Sequence, residues 1–260
     1  MSTQVASRER TPIEPDIEVE ARRLLAEIDR RGLEMRLIGG MAIRLLAGER
    51  LDPAFERPID DLDFVVSKRH RRDAEALLRE AGYEGDEQFN ALNGARRLLY
   101  HDPGHGRQID VFIETIEMCH VLPMGDRLTA RRGSLPAADV LMTKLQIVQL
   151  NDKDRRDLYA LLLSHEVGGG DASLDVERIT GLTANDWGLQ HTFELNLERL
   201  RSGIAEQAVD PERAQAIASR IDELAAAMER APKSRRWKLR ARVGERKRWY
   251  VEPEEVDRGG

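Results

Sequence analysis

The sequence predicts a mixed α/β (α+β) fold: a small mixed β-sheet flanked by helices, then a helical C-terminal domain and a basic C-terminal β-hairpin. Three observations carry this. Strand-like apolar runs at Met35 to Ile38, Asp61 to Val66, Arg97 to Tyr100 and Gln108 to Ile113 alternate with segments of helical period up to His165. Three consecutive glycines, Gly168-Gly169-Gly170, then break the pattern. Past them the periodic segments read as helix until a dense basic run begins at Lys233. The expected division is therefore 1–167, 171–232 and 233–252.

Each element has a local reason. Pro15-Asp16 caps a first amphipathic helix with Val19, Leu24, Leu25 and Ile28 on its apolar stripe. Gly39-Gly40 separates the Met35–Ile38 run from a helical pattern through Ala42, Ile43, Leu45 and Leu46, a strand-turn-helix junction. Pro53 and Pro58 mark a loop before the Asp61 strand, and Asp73 to Ala81 read as a helix ended by Gly82. Asp102-Pro103-Gly104-His105-Gly106 is a hairpin loop between the next two strands. Helices are expected over Pro136–Leu150 and Asp152–His165, then Val176–Thr180, Asp186–Arg201, and from Asp210, with Pro211 at the first helical position, to Arg230. Pro232 stops the last of these. In the basic run, Trp237, Leu239, Ala241 and Val243 alternate with Lys238, Arg240 and Arg242, which predicts a strand; Gly244-Glu245 would turn it back through Trp249 and Val251.

Composition bounds the setting. In 260 residues, 41% are hydrophobic and 34% charged, with a net charge of -6 and no long apolar stretch, so a soluble protein without membrane contact is expected. The single Cys119 precludes an intramolecular disulfide, and the polar start from Met1 to Pro15 has no signal-peptide pattern, so the cytoplasm is the expected compartment. His101, His105 and Cys119-His120 lack zinc-ligand spacing.

The chemistry concentrates on three aspartates and two glycines. Side chains two apart on a strand share a face, so Asp61 and Asp63 present two carboxylates side by side while Leu62 and Phe64 face the core. Such a pair repels unless a cation lies between, and Mg²⁺, which takes a few carboxylates together with substrate phosphates, suits it. Asp110, between Ile109 and Val111, offers a third carboxylate, although a strand Asp with structural hydrogen bonds would look the same. Gly39-Gly40 at a helix start lets phosphate oxygens approach backbone N–H groups. Together these read as a metal-dependent nucleotidyl-transfer site.

At this point the sequence resembles the DNA polymerase β-like nucleotidyltransferase superfamily, and within it the AbiEii-like toxin enzymes of toxin–antitoxin systems. Gly39-Gly40, Arg57-Pro58-Ile59-Asp60-Asp61-Leu62-Asp63, Lys144 in Leu141-Met142-Thr143-Lys144-Leu145, and Lys153-Asp154-Arg155-Arg156-Asp157-Leu158 match its elements in order. Ile59 and Met41 depart from it, standing where hydroxyl or small residues are usual. The resemblance implies Asp61, Asp63 and Asp110 as metal ligands and catalytic residues, with Lys144 and Asp157 also catalytic. Gly39, Gly40, Arg57 and Asp154 would bind nucleotide. It further implies Mg²⁺, an NTP, an acceptor such as the 3′ end of tRNA or another RNA, and an antitoxin partner.

Other readings stay open from residues alone. Lys144 also fits a snorkelling lysine whose stem covers the core, and Asp154 and Asp157 fit first-turn acids favoured by a helix dipole. Lys233 to Arg248 reads either as an RNA-binding platform or as a solvated face with Trp237 and Trp249 packed inward. Transfer to a small hydroxylated molecule, as by aminoglycoside-type nucleotidyltransferases, is the alternative activity, and a nucleic-acid-binding, antitoxin-like protein the non-enzyme alternative.

Overall fold

The computed structural model describes residues 13–252. The polar start used for the compartment expectation lies, up to residue 12, outside them. Helix α1 (Ile17–Arg30) begins where the Asp16 carboxylate accepts from the N–H groups of Glu18 and Val19. Its buried stripe is Ala21, Leu24 and Ile28, and Val19 is exposed instead. Glu20 takes an inner position because Arg23 and the Tyr83 hydroxyl both donate to it.

Strand β1 (Met35–Ile38) leads directly into α2 (Gly39–Ala47), and β2 (Asp61–Val66) follows the proline-marked loop. The chain then forms α3 (Arg71–Glu80), the short β3 (Glu84–Gly85), α4 (Glu87–Asn93), and the hairpin β4 (Arg97–His101) and β5 (Gln108–Ile113). These five strands make one mixed sheet in the order β1-β2-β5-β4-β3. Only β2 and β5 run parallel, with Asp63 opposite Asp110; the other pairs are antiparallel. Alternation sends Leu62, Phe64, Ile109 and Val111 into the core and leaves Asp61, Asp63 and Asp110 on the other face.

A two-stranded ribbon, β6 (Thr115–Glu117) and β7 (Val121–Pro123), precedes α5 (Ala137–Leu145) and α6 (Asp152–Ser164). Helix α5 ends five residues before the expected Leu150. There the Asn196 amide donates to the carbonyls of Leu145 and Ile147, and Asn151 caps α6 through the N–H of Asp154. The triple glycine starts at the end of β8 (Val167–Gly168) and continues into the turn toward β9 (Leu174–Asp175), which pairs with β8 in parallel. Helices α7 (Val176–Thr183), α8 (Trp187–Gly203) and α9 (Pro211–Arg230) pack on α5 and α6. Ile179, Phe193, Leu197 and Leu224 join the same buried cluster as the sheet.

The expected basic β-hairpin is corrected. Arg235–Val243 form a helix, α10, capped by Ser234, and a single 3₁₀ turn over Gly244–Arg246 follows it. The alternation of apolar and basic residues is coincidental, because the inward positions follow helical spacing. Trp237, Arg240 and Ala241 are part-buried while Leu239 and Val243 are exposed. Arg240 can face inward because its guanidinium lies over the Trp187 ring and donates to the carbonyls of Gly244 and Lys247.

Candidate active site

The first cluster comes from β2 and β5. Register places Asp63 opposite Asp110, and the two-residue period puts Asp61 on the same face. Burial first, then the negative charges of Asp61 and Asp110, push the Asp63 carboxyl well above its usual range, despite the nearby cations Lys144 and Arg97. Asp110 is itself buried and oriented: Arg97 Nε donates to its Oδ1 at 2.6 Å and Gln108 Nε2 to its Oδ2 at 2.9 Å.

The glycine pair sits against this cluster. Gly39 has φ +68°, and a Cβ there would lie 2.1 Å from Asp63 Oδ2; one on Gly40 would lie 2.3 Å from an Arg57 terminal nitrogen. Glycine is therefore required first so that Asp63 and Arg57 can reach the start of α2. Ile38 supplies no side-chain cap there, so the opening N–H groups of α2 lie beside the carboxylates without a side-chain acceptor from the N-cap.

A second cluster links the loop before β2 to α5 and α6. Arg57 makes a two-pronged ion pair with Asp157, at 2.8 and 2.7 Å. Lys144 Nζ lies 2.8 Å from Asp154 and 3.1 Å from Asp157. Burial opposes the charge on Lys144, but the carboxylates of Asp157 and Asp154 outweigh it and raise its pKa. Arg57 is likewise disfavoured by burial and then raised by Asp157. The snorkelling reading of Lys144 is thus set aside, since its ammonium ends between two acids. Lys153, nine residues on, pairs instead with the exposed Asp60.

The structure accordingly brings Asp61, Asp63, Asp110, Gly39, Gly40, Arg57, Lys144, Asp154 and Asp157 to one side of the sheet, where β2, α2 and α6 meet. The two departures from the sequence pattern have apolar duties: Met41 is buried, and Ile59 lines a small cleft beside Arg57 and Asp157. Sequence reasoning missed Arg97 and Gln108. Gln108 was findable from the two-residue period that puts it on the face of Asp110, whereas Arg97 depends on the pairing of β4 with β5.

The donor set suits a hard cation, since three carboxylates share one face of neighbouring strands and the charges of Asp61 and Asp110 add to the burial that disfavours ionisation of Asp63. Among the described residues, however, no three Asp, Glu, His or Cys side chains are arranged as a ready cage. Asp110 is turned toward Arg97 and Gln108.

A mixed sheet carrying clustered carboxylates beside a glycine-opened helix defines a nucleotidyltransferase. The chain belongs to the family described as uncharacterised nucleotidyltransferases, whose model matches residues 16–145. Three solved structures resemble it in part. The antibiotic-resistance factor ANT(2'')-Ia in solution is 14% identical, with 73% of this chain and 96% of that one covered and a TM-score of 0.42. The lincosamide antibiotic adenylyltransferase LnuA, lincomycin-bound, is 15% identical, with 58% and 98% covered and a TM-score of 0.41. An antigenic nucleotidyltransferase-like protein from Paracoccidioides brasiliensis is 16% identical, with 86% and 96% covered and a TM-score of 0.40. No curated protein matches the chain.

Proposed function

We propose that the protein transfers a nucleoside monophosphate from an NTP to an acceptor hydroxyl in a Mg²⁺-dependent reaction. The observation that carries this reading is the juxtaposition of Asp61, Asp63 and Asp110 across the parallel β2–β5 pair, beside the N-terminus of α2. Asp61, Asp63 and Asp110 would hold the metal, which when bound neutralises triphosphate charge and activates the acceptor oxygen. Gly39 and Gly40 leave room for phosphate oxygens at the helix start. Arg57 and Lys144 supply positive charge next to them, and Asp157 and Asp154 fix where those cations point. Asp110 takes the acceptor's proton as the acceptor oxygen bonds to the α-phosphorus and pyrophosphate leaves. In this reading residues 1–167 are the catalytic unit, with 171–232 and 233–252 supporting it.

An RNA 3′ end is the acceptor class we favour, as in the AbiEii-like enzymes with their antitoxin partners and cytoplasmic setting. The support is α10 and the turn after it. Arg235, Arg236, Lys238, Arg242, Arg246 and Lys247 are exposed there, in a protein whose net charge is -6. The tryptophans do not form a stacking platform, because Trp237 and Trp249 donate to Gln190 and Thr192 and are part-buried. No helix among the described residues is long and apolar enough to cross a membrane. Incubation with each labelled NTP, Mg²⁺ and total RNA tests both levels. Labelled RNA supports the whole proposal, label transferred only to a small hydroxylated molecule moves the acceptor to the alternative class, and no NTP consumption with any acceptor refutes the transferase reading.

A further inference from the structure

We propose that Arg97 is a positioning residue that sets the orientation of Asp110 and occupies, by charge, part of the cation demand of the acid cluster. The inference rests on the reading of Asp110 as part of the transfer site. Arg97 enters from β4, one strand beyond the aspartates, and its Nε donates to Asp110 Oδ1 at 2.6 Å. Its guanidinium is held over two rings, Phe112 at 5.1 Å and Phe89 of α4 at 5.8 Å from the centroids. A planar group held over two rings and bonded through one nitrogen has little freedom to swing, so the carboxylate it holds is fixed as well. Gln108 closes the other oxygen, leaving Asp110 one rotamer with its remaining lone pairs directed away from these donors.

The same positive charge is ion-paired with Asp110, which the strand register places opposite Asp63, so it sits at the edge of the acid cluster. Arg97 therefore acts on the cluster in two separable ways. As an orienting donor it favours turnover, and as a neighbouring cation it competes electrostatically with any divalent ion the cluster binds.

These two effects predict opposite signs in one variant. Arg97→Met keeps an apolar stem against Phe89 and Phe112 and removes both the donor and the charge. Turnover is expected to fall about 10–100-fold with the KM for NTP unchanged, the usual size for loss of an orienting partner. Mn²⁺ titrated into the protein without substrate should bind about three- to tenfold more tightly, because a unit positive charge has left the neighbourhood. Arg97→Lys should return Mn²⁺ affinity to the wild-type value and recover only part of the turnover, since it restores charge without the guanidinium geometry. In an Asp110→Asn background, Arg97→Met should cost no further turnover, the non-additivity expected of a residue acting through its neighbour. Weaker Mn²⁺ binding together with a lower melting temperature in Arg97→Met would assign the arginine a purely structural role and overturn the inference, as would unchanged turnover and unchanged Mn²⁺ affinity. Full activity in Asp110→Asn itself would instead remove the reading on which the inference rests.

Discussion

Two aspartates in this protein, one fully buried and one half-buried, meet opposite surroundings. Asp139 in α5 is fully buried, and each of its oxygens accepts from a different arginine, Arg127 at 2.9 Å and Arg178 at 2.8 Å. Arg127 reaches on to Asp171, and Arg178 to Asp126 and the Pro123 carbonyl, so the carboxylate ties the loop before α5 to the β8–β9 turn and α7. Asp63 stands between Asp61 and Asp110, with burial and like charge both acting against its ionised form. An acid of the first kind, paired on both oxygens, holds the fold together; one of the second kind, crowded by like charge, costs stability and is the kind retained where a cation or substrate completes it. The difference separates scaffold from site without reference to any ligand.

That comparison can be broken in several places. The largest stability effect should come from Asp139→Ala, which leaves two part-buried guanidiniums without their shared partner; unfolding by urea should show a loss of about 3–5 kcal/mol. Protonation gives the next. Burial drives both His120 and His165 down to about 4 from 6.5. A group whose folded pKa lies below its unfolded value stabilises the fold fully above the unfolded value and loses that contribution as pH falls toward the folded one. Stability measured from pH 7 to pH 4 should therefore decline by roughly 2–3 kcal/mol per histidine, and replacing His120 by Gln should make the decline shallower. A wild-type slope in that variant would mean that His120 is not buried in its neutral form.

A pair of glycines sharpens the point at smaller scale. Gly32 and Gly39 have nearly the same backbone, φ +66° and +68°, but a Cβ at Gly32 meets nothing within 4 Å whereas one at Gly39 collides with Asp63. Both alanine variants carry the left-handed penalty of about 1–2 kcal/mol. Gly39→Ala alone should add a further loss of about 1–3 kcal/mol and impair transfer, checked by melting and by turnover. The smallest effect is expected at the surface. Replacing Arg235, Arg236, Arg242 and Arg246 by Gln should leave stability and NTP affinity unchanged and flatten the salt dependence of RNA binding by up to about one unit of slope per lost contact. An identical RNA affinity and slope would detach α10 from the acceptor.

Much of the site was legible because it depends on short-range rules. The two-residue period of a strand placed Asp61 and Asp63 together, and the strand-turn-helix junction marked Gly39-Gly40. The four sheet strands expected before position 114 are present, and β3 and α4, which lack a strong apolar period, were not anticipated. What stayed hidden depends on contacts far apart in sequence. Arg57 and Asp157 are 100 residues apart, and Arg178 and Asp139 are 39 apart. No periodicity encodes such pairings. The C-terminal segment misled for the reverse reason: a strict alternation over Trp237 to Val243 favoured a strand, and the Ser234 cap with the inward Arg240 over Trp187 decided for a helix.

The central claim is that Asp63 is kept for chemistry and not for the fold. Asp63→Asn removes one of the repelling charges at nearly constant size, and its turnover and melting temperature are the measurement to make. Transfer of label from NTP should drop to background while the melting temperature stays at or above the wild-type value. Wild-type transfer, or a stability loss as large as that of Asp139→Ala, would contradict the account.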